Sequence, residues 1–459
     1  MIKKILKKQD KSLLLIMKLT LYLILMALFF WIMSFENRPL LILSRTMGST
    51  ILTFTIVGVL FLRIYGTYDI GRRKSKPIIY SLVLAVIFTD IVTYLELMIM
   101  NTITPDIGAF RLTSIEWLLL AIVVQIAVII LYTYAGNALY FYAHDPEPCC
   151  IIASTEDGVR RVMCGINKYK KQYKVEHVVH YKKKTLYQFI DEAHAVFLCE
   201  IPAVERENII NYCYENKKNI YYTPEIADVV ESNAENYLLD DISVFNYNVK
   251  SLSLEQRFLK RTLDLVLVIL MGIVSSPIWI VSAIAIKSYD HGSILFKQKR
   301  ATLNGRVFEV YKFRTMKENV ENRSVTKDDD RITPPGKILR KIRMDELPQL
   351  LNILKGDMSF VGPRPEMMEN VTAYTEDLPE FKYRLRVKAG LTGYAQIAGK
   401  YNTTPKDKLM MDLLYIEHYS IWKDIQLLFQ TAIVFLKADS TEAFDTGNKI
   451  TFDEFEEEE

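Results

Sequence analysis

The sequence predicts a membrane protein of the α plus α/β type. It has four transmembrane helices, a degenerate Rossmann-like α/β domain, and a monotopic α/β-type domain with a re-entrant membrane helix that carries the chemistry. Three observations lead there. Four apolar runs of about 20 residues open the chain, each long enough to cross a bilayer as a helix. Short apolar strands then alternate with helical spacing. A fifth apolar run follows, broken at its middle and basic on both flanks. The expected parts are 1–140, 141–250, 251–445 and an acidic tail over 446–459.

Composition agrees with a mixed protein. Of 459 residues, 50% are hydrophobic and 24% charged, which excludes both general disorder and a pure membrane bundle. The net charge of +3 gives no argument for nucleic acid as a partner. All five cysteines lie between Cys149 and Cys213 without a C-x-x-C pair, so neither a zinc ribbon nor a disulfide framework is expected.

The four spans read about Leu13–Met33, Met47–Tyr65, Ile78–Met100 and Ser114–Tyr134. Lys3, Lys4, Lys7, Lys8 and Lys11 precede the first. Arg63, Arg72, Arg73, Lys74 and Lys76 sit at or between the second and third, whereas the other loops hold only Arg38 and Arg111. The positive-inside rule therefore places the N-terminus and everything after Tyr134 in the cytoplasm.

In the next part, strands are expected at Cys149–Ser154, Val175–Tyr181, Ala195–Ile201 and Asn219–Tyr222, with helices at Thr155–Lys170 and Pro202–Asn216. A parallel sheet follows from the alternation. The first strand-to-helix turn, Ala153–Gly158, has one glycine and two acids where a dinucleotide's phosphates would dock, so a scaffold or regulatory role is expected. His177 and His180 are three apart on a strand and face opposite ways, which argues against a metal pair.

The fifth run, Leu263–Ile286, contains Ser275-Ser276-Pro277. Its flanks hold Arg257, Lys260 and Arg261 before it, then Lys287, Lys297, Lys299 and Arg300 after it. Crossing would put the second basic flank outside, against the positive-inside rule. Pro277 removes a backbone donor, and serine hydroxyls can serve the freed carbonyls. A helix-break-helix over about 259–289, dipping in and returning at Ser276-Pro277, is expected.

Beyond it lie residues suited to phosphate. Asn304-Gly305 signals a hairpin turn before the strand Val307–Tyr311 and Lys312-Phe313-Arg314-Thr315-Met316. Leu347, Leu350, Leu351 and Leu354 make one helical face, with Pro348 in its first turn and Gly356 as C-cap. Asp345 and Glu346 then stand at a helix N-terminus, where a carboxyl pKa is lowered and phosphates bind. Arg340, Lys341 and Arg343 are near enough in sequence to keep a carboxylate ionised and to neutralise a diphosphate. An ionised Asp is a competent nucleophile on phosphorus, and two adjacent anions call for a divalent cation, Mg²⁺, held by Asp345 and Glu346. Pro363 and Pro365 fix the backbone around Arg364, suiting it to bidentate anion recognition. Glycines 390, 393 and 399 suggest a loop over a nucleotide or membrane surface, and Tyr415–Trp422 and Ile425–Leu436 amphipathic helices on the bilayer or in the core.

Residues 255–436 resemble the bacterial sugar transferases, the monotopic phosphoglycosyl transferases. The resemblance rests on Lys260–Asp264, Ser276-Pro277, Tyr311–Met316, Asp330–Thr333, Asp345-Glu346-Leu347-Pro348-Gln349, Gly356–Pro365 and Gly390-Leu391-Thr392-Gly393. It implies a priming enzyme of capsule, exopolysaccharide or O-antigen synthesis in the bacterial inner membrane, with its catalytic domain cytoplasmic and a homo-oligomer, a dimer, as its assembly. The substrates it implies are a UDP-sugar, with glucose or galactose as the sugar, and polyprenyl (undecaprenyl) phosphate. Asp345 would attack the sugar-proximal phosphate and expel UMP. Glu346 would assist through Mg²⁺, while Arg340 and Arg364 would hold phosphates or the nucleotide. Arg343, Arg314, Arg331 and Lys400 complete the expected phosphate-binding set. The chain departs from the family pattern at Ala389, where proline is usual, at Lys400, where arginine is usual, and in the stiff Thr333-Pro334-Pro335-Gly336. Two alternatives stand beside this reading. One is a metal-dependent glycosyltransferase using Asp328 and Asp330 and releasing UDP. The other is a non-enzymatic membrane scaffold.

Overall fold

The computed structural model describes residues 10–100, 112–247, 252–317, 330–399 and 403–436. Lys3, Lys4, Lys7, Lys8, Arg111, Asp328, Asp329, Lys400 and the acidic tail lie outside the described residues. The chain divides into two compact units, Met1–Thr223 and Pro224–Ala443, so that residues 224–247 group with the second.

In the first unit, helices α1 (Asp10–Met33), α2 (Arg45–Tyr65), α3 (Ser75–Met100) and α4 (Ile115–Ala143) match the four apolar runs. All four are long and apolar enough to cross a membrane. Ser44 starts α2 by accepting from the Met47 amide at 3.0 Å, an N-cap that satisfies one otherwise orphaned donor. Polar side chains inside the bundle tie helices together: Gln125 of α4 donates to the Leu25 carbonyl of α1 at 3.0 Å.

The same unit contains the parallel sheet. Strands β1 (Glu147–Ala153), β2 (Tyr173–His180), β3 (Ala195–Cys199) and β4 (Asn219–Tyr222) alternate with α5 (Glu156–Ile166), α6 (Leu186–Glu192) and α7 (Ala203–Glu215). Their order is β2-β1-β3-β4. The strand order reverses between β1 and β3, the place where such sheets bind ligands at their carboxyl ends. Here that place holds a carboxylate of the protein. Glu200, with φ of +54°, accepts from Thr155 Oγ1 at 2.8 Å and pairs with Arg161. This is a physical reason, beyond the missing glycines, for the turn not to cradle a phosphate. Helix α6 was not among the expected elements; seven residues give too few turns for a periodicity to show.

The second unit begins with α8 (Ile226–Glu231) and an antiparallel hairpin, β5 (Glu235–Leu239) with β6 (Ile242–Asn246). Helix α9 (Leu254–Asp290) is 37 residues long, roughly 56 Å. A capping box of Ser253 and Gln256 starts it, and His291 in the left-handed region ends it. It runs as one helix through Pro277. The Ile273 carbonyl, which would accept from residue 277, accepts instead from Ser276 Oγ at 2.8 Å.

Strands β7 (Leu295–Ala301) and β8 (Val307–Phe313) form the hairpin that Asn304-Gly305 signals, both turn residues having positive φ. Then come α10 (Pro334–Lys341), a 3₁₀ turn Met344–Glu346, and α11 (Gln349–Lys355) capped by Gly356 at φ +86°. Strand β9 (Ser359–Val361), α12 (Met368–Asp377), a 3₁₀ segment Pro379–Arg386, β10 (Gly390–Thr392), α13 (Tyr394–Ala398), α14 (Pro405–Glu417) and α15 (Ile421–Leu436) complete the unit. The core gathers Val310, Ile353, Phe360, Phe381, Leu413 and Tyr415.

Two expectations change here. Tyr415–Trp422 is not a helix: α14 ends at Glu417 and α15 starts at Ile421, and α14 packs Leu409, Leu413 and Tyr415 into the core. The glycines at 390 and 393 do not form a cover. β10 pairs in parallel with β9, and a Cβ at either glycine would overlap the Gly362 backbone. They let two chain segments touch backbone to backbone directly beneath Pro363–Pro365.

Candidate active site

The 3₁₀ turn Met344–Glu346 is set by its neighbours. Arg343 adopts φ of +55° and turns the chain sharply after α10. Helix α10 itself lies against the Thr315 backbone, where a Cβ on Gly336 would overlap the Thr315 carbonyl oxygen. Arg340 Nε donates to Thr315 Oγ1 at 2.8 Å, joining the same two segments.

Two cations from elsewhere converge on Glu346. Lys312, on β8, donates to Glu346 Oε1 at 2.7 Å, and Arg364 Nη2 donates to the same oxygen at 3.1 Å. A cleft here is lined by Arg300, Lys312, Glu346, Gln349, Arg364 and Gln396. Burial alone would raise the Glu346 carboxyl, but Arg364 and Lys312 outweigh it and hold it at about 2. Asp345 goes the other way. Burial pushes its carboxyl up and the Glu346 charge adds to that, while Lys312 and Arg340 oppose both without prevailing. Among the described residues no side chain donates a hydrogen bond to it. The expectation that a helix N-terminus lowers both carboxyls therefore holds for Glu346 alone, and through side-chain cations. Asp345 sits in a separate short turn before α11, where the helix macrodipole adds little.

The expected phosphate-binding residues divide. Arg364 and Arg340 act on the carboxylate pair. Arg343 is exposed on the turn itself. Arg314 is elsewhere: 7% exposed, it pairs with Asp290 at the end of α9, and its Nε donates to the Ser293 carbonyl at 2.6 Å. Although it lies only two residues beyond Lys312, its guanidinium is taken up by Asp290 and the Ser293 carbonyl and is not part of the cleft lining. Arg331 is buried beside the bridge between Met316 and Ile332. Lys400 lies outside the described residues, and so does Asp328; Asp330 is exposed in a turn. Lys312 and Arg300 are cleft cations outside the expected phosphate-binding set. Both lay in blocks noted for phosphate-binding types, but which cation of each block turns inward is set by strand pairing.

A metal would meet a limited donor set. Among the described residues, no three or more His, Cys, Asp or Glu converge. Mg²⁺ commonly takes one or two carboxylates and fills its remaining positions with phosphate oxygens and water. Asp345, which receives no side-chain donor among the described residues, and the second oxygen of Glu346 fit that pattern.

The bacterial sugar transferase family model matches residues 255–438. Among curated relatives, the chain is 38% identical over 180 residues to a UDP-N-acetylgalactosamine-undecaprenyl-phosphate N-acetylgalactosaminephosphotransferase of Aeromonas hydrophila, covering 38% of this chain and 43% of that one. It is 38% identical over 189 residues to a UDP-glucose:undecaprenyl-phosphate glucose-1-phosphate transferase of Caulobacter vibrioides, covering 39% and 71%. It is 38% identical over 199 residues to an uncharacterized sugar transferase of Bacillus subtilis, covering 43% and 95%. The match thus spans under half the length of the Aeromonas relative and nearly all of the Bacillus one.

Proposed function

Because the chain belongs to the bacterial sugar transferase family, we propose that it moves a sugar 1-phosphate from a UDP-sugar to undecaprenyl phosphate, releasing UMP. The observation that carries this reading is the Asp345–Glu346 pair, one carboxyl held firmly ionised by Lys312 and Arg364, the other without a side-chain donor among the described residues.

In the proposed route an Asp345 carboxylate oxygen attacks the sugar-proximal phosphorus. A phosphorus–oxygen bond forms as the bond to the UMP phosphate breaks, and UMP leaves with that electron pair. A polyprenyl phosphate oxygen then attacks the same phosphorus and releases the Asp345 carboxylate. The raised pKa of Asp345 suits a nucleophile, since a more basic carboxylate is the better one once ionised. Arg364, Lys312 and Arg300 supply the positive charge that an anion attacking an anion needs. Mg²⁺, held by Asp345 and Glu346 together with substrate phosphates, would add Lewis-acid charge relief.

The reading places the enzyme in the bacterial cell membrane with α1–α4 as spans and α9 re-entrant. Support comes from both ends of α9 packing on one domain. Near its start, Lys260 Nζ donates to the Val361 carbonyl at 2.9 Å and to Asp424 at 2.6 Å. Asp264 accepts from Ser359 Oγ and the Phe360 amide, both at 2.9 Å. Toward its end, Trp279 packs edge-on to Phe313 at 5.4 Å, and Asp290 pairs with Arg314. A helix crossing the bilayer would part these ends to opposite sides.

Relatives of equal identity carry N-acetylgalactosamine in one name and glucose in another, so similarity does not select the sugar. Glucose and galactose head the donor panel. The test is nucleotide release from purified enzyme with UDP-sugars, undecaprenyl phosphate and Mg²⁺. UMP with one donor supports the reading; UDP would replace it with a glycosyltransferase that hands over a bare sugar.

A further inference from the structure

Four consecutive carbonyls around Arg364 are each engaged by a different donor. The Gly390 amide donates to Pro363 O at 2.9 Å and the Ala301 amide to Glu366 O at 3.5 Å. Between them, Arg384 Nη2 donates to Arg364 O at 3.0 Å and Arg300 Nη1 to Pro365 O at 3.0 Å. Loop carbonyls ordinarily turn to water. Here the segment that carries Arg364 is pinned by four donors from three chain segments, and of the two arginines among them Arg384 is buried.

Arg384 is 3% exposed. It pairs with Asp412 at 2.8 Å and Glu366 at 3.6 Å, and its guanidinium stands 4.8 Å from the Phe381 ring centroid. Buried ion pairs contribute little net stability, and well-packed apolar side chains of the same volume do as well or better. A core needing only cohesion has no use for this arrangement. What an apolar residue cannot do is hold a backbone oxygen in place, and the oxygen that Arg384 holds belongs to the residue whose guanidinium reaches Glu346.

We propose that Arg384 is a positioning residue for the transfer reaction: through the Arg364 carbonyl, and braced by Asp412 and Glu366, it sets where the Arg364 guanidinium meets Glu346 and the donor's phosphates. The proposal rests on the reading of this cleft as the phosphosugar-transfer site.

A double-mutant cycle tests it, with wild type, Arg364→Ala, Arg384→Lys and the double variant in the full chain. Lysine keeps the charge opposite Asp412 and Glu366 but lacks the fork. Three readouts are taken: kcat/KM for UMP release, UDP affinity by calorimetry, and Tm. Arg384→Lys lowers kcat/KM and UDP affinity by about fivefold or more in the wild-type background and by less than about twofold when Arg364 is already alanine. Equal losses in both backgrounds, or no loss in either, overturn the proposal. If Arg384→Lys does not fold, Asp412→Asn enters the same cycle, since it removes the brace with little change of volume. Wild type that binds UDP yet releases no UMP sinks the reaction while the affinity cycle still reads the positioning. Wild type that binds no UDP removes both.

Discussion

Lys312 and Glu346 stand 34 residues apart in sequence and meet at 2.7 Å, the ammonium of a strand on the carboxylate of a 3₁₀ turn. With Arg364 on the same oxygen, this contact separates two neighbouring carboxyls, holding Glu346 at about 2 while Asp345 is pushed upward.

That separation predicts a pH profile. Asp345 acts as a carboxylate, so raising its pKa makes the rate fall on acidification at a higher pH than for an ordinary aspartate. Burial is the larger cause and persists in Glu346→Gln; the repulsion from Glu346 does not. The acid limb of kcat/KM therefore moves to lower pH in Glu346→Gln, alongside a reduced rate and an altered Mg²⁺ response. A limb that stays put assigns it to another group.

Asp345→Asn abolishes turnover, by at least about a thousandfold, because an amide cannot form the acyl phosphate. Rapid-quench mass spectrometry of the wild type with donor alone finds a phosphosugar on the peptide containing Asp345. Wild-type UMP release from the asparagine variant would end the covalent route.

Lys312→Met and Arg314→Met, two residues apart, fail differently. Lys312→Met removes a cation from the cleft and lowers kcat/KM with a small change in Tm. Arg314→Met removes the buried guanidinium that ties Asp290 to the strand end and lowers Tm, with KM close to wild type once folded. Thermal melts and kinetics on the same preparations separate the two, and an exchange of the outcomes would contradict the site geometry.

A single cysteine at exposed Lys299, in a Cys164→Ser background, labels from the cytoplasmic side in sealed vesicles. Labelling from the opposite side would make α9 a fifth span and displace the re-entrant proposal.

A chain beginning at Pro224 and ending at Leu436 folds and retains UMP release, since α9 and the catalytic core, with Val229 of α8 in it, make their contacts within the second unit. A folded but inactive product would give the first unit a part in the reaction.

Much of this architecture is written locally. Hydropathy over about 20 residues marks α1–α4 because a span is decided by its own side chains and the bilayer. Strands β1–β4 follow from short apolar runs between helical spacings, the β7–β8 turn from Asn304-Gly305, and the end of α11 from Gly356. The fate of α9 is legible in part: Ser276 serves a freed carbonyl as expected, and helical backbone continues through Pro277, so the re-entrant reading calls for a bend within one helix and not a gap between two. Short elements such as α6, α8 and the β5–β6 hairpin left no clear mark, being too brief for a period or too exposed for an apolar pattern.

By itself the sequence determined the four long apolar helices α1–α4, the parallel sheet, the acidic pair at 345–346 and the rigid Pro363-Arg364-Pro365, because each depends on residues within one turn or one element. Only the tertiary structure decided that Lys312 and not Arg314 faces the pair, that Arg384 grips the Arg364 carbonyl, and that Asp345 and Glu346 shift in opposite directions. Those outcomes depend on burial and on charges brought in from other strands and loops. Coulomb and desolvation energies follow distance and dielectric in space, and separation along the chain specifies neither.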